Sequence, residues 1–191
     1  MRKKAADEES TRIAFHEAGH VVMNLLLGLP FEAVSVEYSQ ENVYEVNNGQ
    51  KTPVVQIFTK GVTWSEKRTK SVNKNILAGV LDLREALSSM AGPQAEAMIV
   101  NKIDEDTLLG AQNDIQSIAA CCRAAVAPDE PIENWKSTIM ESQILQAIAL
   151  EALEILNQNW GSVDAVANAL LERKSLTYSE AKTLIKKSNL D

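Results

Sequence analysis

The chain has 191 residues, 45% of them hydrophobic and 24% charged, a profile that suits one globular domain or two small ones. Nineteen basic against 26 acidic side chains leave a net charge of −7, and an acidic chain without a basic stripe is a poor partner for nucleic acid. No run of about 18 apolar residues is present to span a membrane, the charged MRKKAADEES start lacks the apolar stretch of a secretory signal, and no phosphate-binding G-x-x-x-x-G-K-[ST] loop occurs.

Residues 7–29 are predicted to form a helix. Ile13, Phe15, Val21, Val22, Leu25, Leu26 and Leu27 make a wide apolar stripe, Gly28 sits near the expected end, and Pro30 stops it. The period then shortens. Ala33 to Tyr38, Val43 to Val46 and Val54 to Phe58 read as strands, with Asn47-Asn48-Gly49 as a hairpin turn. Gly61-Val62-Thr63-Trp64 reads as a further short strand, giving a small, mostly antiparallel sheet. From about residue 70 the chain is helical in pattern. One candidate covers Ile76 to Val100 and is expected to break into two at Gly92-Pro93. Another runs from Ala111 to Ala127, followed by a loop at Pro128 and Pro131. A third runs from Ile132 or Trp135 to Trp160. Ser162 is expected to cap a helix over 163–173, and Thr177-x-x-Glu180 is a capping box that opens the last helix. The fold class is therefore mainly α, with α+β character: a small sheet followed by a helical bundle. The chain is expected to be a single domain, with 7–127 as its metal-site part and 132–191 as its C-terminal helical part.

The chemistry concentrates in one place. The chain has two histidines, both in His16-Glu17-Ala18-Gly19-His20. On a helix, residues four apart lie about 40° apart around the axis and one turn up. Both imidazoles can then reach one ion at about 2.0–2.1 Å, as zinc requires. Glu17 would stand beside the ion, placed to take a proton from water whose pKa zinc lowers to roughly 7. The competing reading, hydrogen-bonded core histidines, explains neither the spacing nor the glutamate between them. Gly19 costs about 1 kcal/mol against Ala in mid-helix, so another element is expected to approach closely there. A catalytic zinc usually has three protein ligands. The third is expected to be Asp, Glu or a cysteine, and composition does not choose among 26 acidic side chains. Cys121 and Cys122 are adjacent, which disfavours a structural bridge and suggests free thiols in a reducing, cytoplasmic setting. Small buried hydrophobes are the reading preferred for them over ligands.

Phe15-His16-Glu17-Ala18-Gly19-His20-Val21 resembles the H-E-A-G-H segment of the FtsH-type zinc metallopeptidases, peptidase family M41. Further matches follow in the family's order. Gly61-Val62-Thr63 resembles its G-Y/V-T strand. Ala91-Gly92-Pro93-Gln94-Ala95-Glu96 resembles G-G-R-A-A-E, and Leu109-Gly110-Ala111-Gln112-Asn113-Asp114-Ile115 resembles T-x-G-A-x-N-D-L. Ala169 to Thr177 resembles the terminal A-L-L-E-K-E-T-L-T segment. The matches span roughly residues 11–187. The resemblance implies a zincin-like fold with Asp114 as third zinc ligand beside His16 and His20, and Glu17 as the catalytic base. It implies Glu96 as a support behind a ligand and Gly61, Val62 and Thr63 as the edge that holds substrate. On residue type alone, Asp114 also fits a helix N-terminal charge, Glu96 a solvated helix charge, and Gly61–Thr63 an ordinary strand.

The chain also departs from the family pattern. A membrane anchor and an ATPase module normally precede this domain, and neither lies in these 191 residues. Residues 40–60 are longer than the usual link, G-G-R reads Gly92-Pro93-Gln94, and the stretch between Ala127 and Ile132 is short. The sequence expectation is a zinc-dependent endopeptidase acting on unfolded or flexible proteins, with Zn2+ as cofactor and a protein or peptide as substrate. A separate ATPase partner and self-assembly are left open, and neither nucleic acid nor a membrane span is expected. The alternatives are a zinc-binding interaction module that has lost turnover, and a piece of a longer protease.

Overall fold

The computed structural model describes residues 2–47, 50–64, 68, 82–100, 114–118 and 143–188, with the backbone alone at 2–7, 38–47, 50–60, 64 and 188. It is mainly helical with a small antiparallel sheet, as the sequence predicts. In order the elements are helix α1 (Arg2–Leu26), strands β1 (Phe31–Asn47) and β2 (Gln50–Trp64), helix α2 (Leu83–Val100), helices α3 (Gln143–Gln158) and α4 (Trp160–Arg173), strand β3 (Ser175–Thr177) and helix α5 (Tyr178–Ser188). Residues 114–118 are also helical.

Helix α1 starts earlier than the pattern predicts and ends at Leu26 rather than residue 29. The reason is local. Gly28 takes φ +67°, the Gly28 N–H donates to the Leu25 carbonyl, and the Leu29 N–H donates to the Asn24 carbonyl at 2.8 Å. This is a Schellman stop, which places the glycine just past the helix and not inside it. Ala14, Ala18, Val21, Val22 and Met23 are fully buried, so α1 is a central helix covered on nearly all sides. Among the described residues, no helix is long and apolar enough to cross a membrane.

The predicted short strands merge into two long ones. β1 and β2 pair antiparallel from Phe31↔Trp64 to Asn47↔Gln50, which leaves only residues 48 and 49 between them. Those two residues of the expected Asn-Gly turn lie outside the described residues. Gly61-Val62-Thr63-Trp64 is the end of β2, not a separate strand. The pairing slips between Ser35 and Tyr38, where Val36 donates instead to the Lys174 carbonyl at 2.9 Å. β3 adds on that other side of β1 through Ala33↔Thr177, Val34↔Leu176 and Ser35↔Ser175. The order is β2-β1-β3. β3 was not anticipated, because three residues with one buried leucine carry no readable alternation.

Helix α2 is continuous through Pro93, against the predicted break at Gly92-Pro93. Proline removes one backbone donor, but much of its conflict with the preceding residue involves that residue's Cβ. Gly92 has none, so the helix can continue across Pro93 while its face packs on α1. Helix α3 ends at Gln158, and the 132–142 part of its predicted range lies outside the described residues, as does the Pro128–Pro131 loop. Ser162 does not cap a helix. It lies inside α4 and is buried, because the chain re-enters helix at Trp160 with Asn159 in the cap position. The capping box before α5 is present: Thr177 N–H donates to Glu180 Oε2 at 2.8 Å, and Glu180 N–H donates to Thr177 Oγ1 at 3.4 Å. Thr177→Ala is expected to cost about 1 kcal/mol, read as a lower urea midpoint with an unchanged slope.

Two aromatic contacts tie the C-terminal helices to the front of the chain. Phe15 of α1 stacks on Trp160 of α4 with ring centroids 5.6 Å apart. Phe31 of β1 meets Tyr178 of α5 edge-on at 5.1 Å. The core cluster draws on α1, β1, α2, α3, α4 and α5 together.

Candidate metal centre

His16 and His20 lie on the α1 face that packs against α2. Their Nε2 atoms are 3.2 Å apart. Asp114 reaches them from the 114–118 helical stretch, with Oδ2 at 3.1 Å from His16 Nε2 and Oδ1 at 3.3 Å from His20 Nε2. These three residues form a group whose donor atoms could surround a single ion. Ligands held tetrahedrally at about 2.0–2.1 Å from zinc are about 3.3 Å from one another, so the separations suit such a site. Two imidazoles and one carboxylate with a position left open are also a zinc-like donor set.

The outer nitrogens of both rings are engaged. His16 Nδ1 is 3.1 Å from Glu96 Oε2, and His20 Nδ1 is 2.7 Å from the Ser88 carbonyl oxygen. Both partners belong to α2. With Nδ1–H donating outward, an ion that displaces the proton from each Nε2 would find both lone pairs turned to the centre. Glu96 is only 5% exposed, which removes the solvated-charge reading. Arg12 also donates to Glu96, through Nε at 2.9 Å and Nη2 at 2.6 Å.

Two glycines let α2 come this close. A Cβ on Gly19 would lie 2.7 Å from the Ala95 Cβ and press into the Ala91 carbonyl. The close approach expected at Gly19 is therefore by the helix that carries Glu96. A Cβ on Gly92 would collide with the His20 ring and stand 2.8 Å from His16 Nε2. Gly92→Ala is accordingly expected to weaken zinc affinity by roughly 10–100-fold, the range seen when groups around a ligand are disturbed. Competition with a chromophoric chelator reads this directly.

Glu17 faces the sheet. Val62 N–H donates to its carboxylate, and an added Cβ at Gly61, whose φ is +57°, would lie 3.3 Å from both carboxylate oxygens. The Gly61–Thr63 stretch thus runs directly past Glu17. Glu17 Oε2 is buried and has no hydrogen-bond partner among the described residues. Burial, helped by the Asp114 charge, pushes the Glu17 carboxyl above the usual range, although both histidines pull the other way. Burial opposes a charged His16, but hydrogen bonds to Asp114 and Glu96 outweigh it and push its pKa up to about 10. His20 is raised, with Asp114 outweighing burial. Burial works to raise the Asp114 carboxyl, yet the two histidines hold it well below the carboxylate range.

A second polar group lies behind His20. Arg68, 3% exposed, donates through Nη2 to Glu85 Oε2 at 2.7 Å and to Ser88 Oγ at 3.2 Å. Ser88 Oγ in turn donates to Asn24 Oδ1 at 2.7 Å. Sequence reasoning missed Arg12 and Arg68. Arg12 stands four residues before His16 on the same helix face, a signal that was available. Arg68 had none, since its partners lie 17 and 20 residues away. Cys121, Cys122 and residues 109–113 lie outside the described residues.

No family model matches the chain. The chain is similar to the ATP-dependent zinc metalloprotease FtsH of Neorickettsia risticii (strain Illinois), at 27% identity over 203 aligned positions that cover 94% of this chain and 28% of that protein. The chain therefore spans a little over a quarter of that relative's length.

Proposed function

We propose that the chain is a zinc-dependent endopeptidase domain that hydrolyses peptide bonds in unfolded or flexible proteins. The observation that carries this reading is the set of donor atoms of His16, His20 and Asp114, 3.1–3.3 Å apart, beside a buried glutamate with one oxygen unpaired among the described residues. The similarity to a zinc metalloprotease supports it. His16, His20 and Asp114 would hold the ion. Zinc bound there supplies Lewis-acid polarisation of a peptide carbonyl and lowers the pKa of water.

The protein's own groups account for the rest. Glu17 Oε2 takes the proton of the attacking water and later returns it to the leaving amine, and a carboxyl with a raised pKa is suited to holding that proton between the two steps. Among the described residues β2 is an edge strand of the sheet, and its Val62 N–H points to Glu17. A substrate that adds along this edge is held by main-chain hydrogen bonds and lies against the base. Only an extended segment can add in this way, so folded proteins are poor substrates. The zinc metalloprotease it resembles is ATP-dependent, and a partner ATPase would widen the range of substrates.

The test is metal content together with cleavage of casein and a quenched peptide. Zinc near one per chain, with cleavage lost to a chelator and restored by zinc, is the expected result. Zinc without cleavage of either substrate favours the interaction-module reading. A chain that takes up no zinc overturns the metal centre.

A further inference from the structure

We propose that Arg12 is a positioning residue of this centre, acting through Glu96 to orient His16. The proposal rests on the zinc reading above. The two oxygens of Glu96 are divided between two tasks. Oε1 accepts both Arg12 Nε–H at 2.9 Å and Nη2–H at 2.6 Å. Oε2 is left to face His16 Nδ1 at 3.1 Å. A guanidinium that grips Oε1 through two nitrogens fixes that oxygen, and with Oε1 fixed and Oε2 against His16 Nδ1 the carboxylate plane is set. The plane of Glu96 then sets the direction in which His16 Nδ1–H donates, and so the direction of the lone pair on Nε2.

The two histidines are supported differently. His20 Nδ1 is held by the Ser88 main-chain carbonyl, which belongs to a helix and cannot rotate. His16 depends on a side chain, and a buried glutamate has freedom about its own bonds. Glu96 is buried while Arg12 is partly exposed, at 7% and 20% of their side chains, so the pair reaches from solvent to the ligand. Arg12 also lies 3.8 Å from Glu9, which is exposed and does not reach the centre. Helix geometry makes the relay possible. Arg12 is one turn before His16 on α1, and Glu96 enters between them from α2 across the Gly19 contact.

The experiment measures zinc affinity by chelator competition for the wild type, Arg12→Ala, Arg12→Lys, Glu96→Gln and the Arg12→Ala/Glu96→Gln double variant. Ring-nitrogen NMR spectra of the metal-free proteins are recorded alongside, where two histidines give two readable sets of signals. Arg12→Ala is expected to bind zinc roughly 10–100-fold more weakly. Arg12→Lys, which keeps the charge but loses the fork, is expected to fall between. If Arg12 works through Glu96, the double variant binds no more than about threefold more weakly than Glu96→Gln alone. The ring signals of His16 are expected to move in Arg12→Ala while those of His20 stay. Wild-type zinc affinity in Arg12→Ala overturns the proposal, even if its thermal midpoint falls, because that is a stabilising role only. Additive losses in the double variant overturn it as well. If the wild type takes up no zinc, the zinc reading fails separately, and unmoved His16 signals in metal-free Arg12→Ala overturn the positioning role on their own.

Discussion

Glu17→Gln is expected to retain zinc and to lose cleavage by about 10²–10⁴-fold, the usual contribution of a positioned general base. Glutamine has nearly the shape of glutamate, so the Val62 N–H keeps an oxygen acceptor and the Gly61 backbone keeps its neighbour. His16, His20 and Asp114 are untouched, and zinc measured by plasma mass spectrometry should stay near one per chain. What disappears is the carboxylate oxygen that accepts the proton. Stripped of metal, the same variant is expected to be more stable than the wild type at neutral pH. A carboxyl whose folded pKa is raised by burial holds its stability below the unfolded pKa and loses it as pH rises through the folded one. An uncharged amide does not incur this loss. A higher thermal midpoint of the metal-free protein joined to lost turnover of the zinc-loaded one is the expected pair of results. Turnover at the wild-type rate in Glu17→Gln would remove Glu17 from the mechanism.

Arg68→Met is expected to be the most damaging substitution for stability. Arg68 and Glu85 are 3% and 4% exposed and are joined by three nitrogen–oxygen contacts of 2.7–3.2 Å. Removing one partner leaves the other charge buried and unpaired, at a cost of about 3–5 kcal/mol. For a domain with a total stability of roughly 5–15 kcal/mol, that is a large part of the whole. Urea denaturation should show a much lower midpoint. Arg68→Met/Glu85→Leu should recover most of the loss, because two apolar side chains of similar volume need no partner. A single variant as stable as the wild type would mean that water reaches Glu85. The effect should also reach the centre, since Ser88 both accepts from Arg68 and presents its carbonyl to His20.

The parts of this fold that the sequence discloses are those whose cause is local. His16 and His20 share a helix face because of their spacing alone. Gly28 marks the end of α1 because a positive φ excludes most other residues, and Thr177 and Glu180 find each other across one turn. The hairpin follows from alternation on both sides of an Asn-Gly pair. The errors have the opposite character. Gly92-Pro93 looks like a break when only the backbone of α2 is considered, but it is read correctly once the α1 imidazoles opposite it are known. Ser162 looks like a cap because its side chain suits one, yet α4 already begins at Trp160 and leaves Ser162 inside it. Asp114 was indistinguishable from any helix-terminal carboxylate by periodicity, and only the resemblance of its surrounding segment singled it out. Arg68 acts across 17 residues, a distance over which a side-chain pattern carries no information, whereas Arg12 reaches a partner 84 residues away but stands one turn before His16, where the helical spacing was an available signal.

β3 has a consequence for the order in which the protein is made. The strand that follows Glu17 in space is braced by β1, and β1 is braced on its far side by residues 175–177. The Ser35 hydroxyl also donates to the Lys174 carbonyl, 139 residues further along the chain. A ribosome emits the helix that carries both histidines well before the strand that completes the sheet. Contacts this far apart in sequence close slowly, because the intervening chain must first be brought into place. The nascent polypeptide therefore carries His16, Glu17 and His20 through the synthesis of the whole stretch up to Lys174 without the third strand that braces β1, and the sheet is complete only once Ser175–Thr177 has been made.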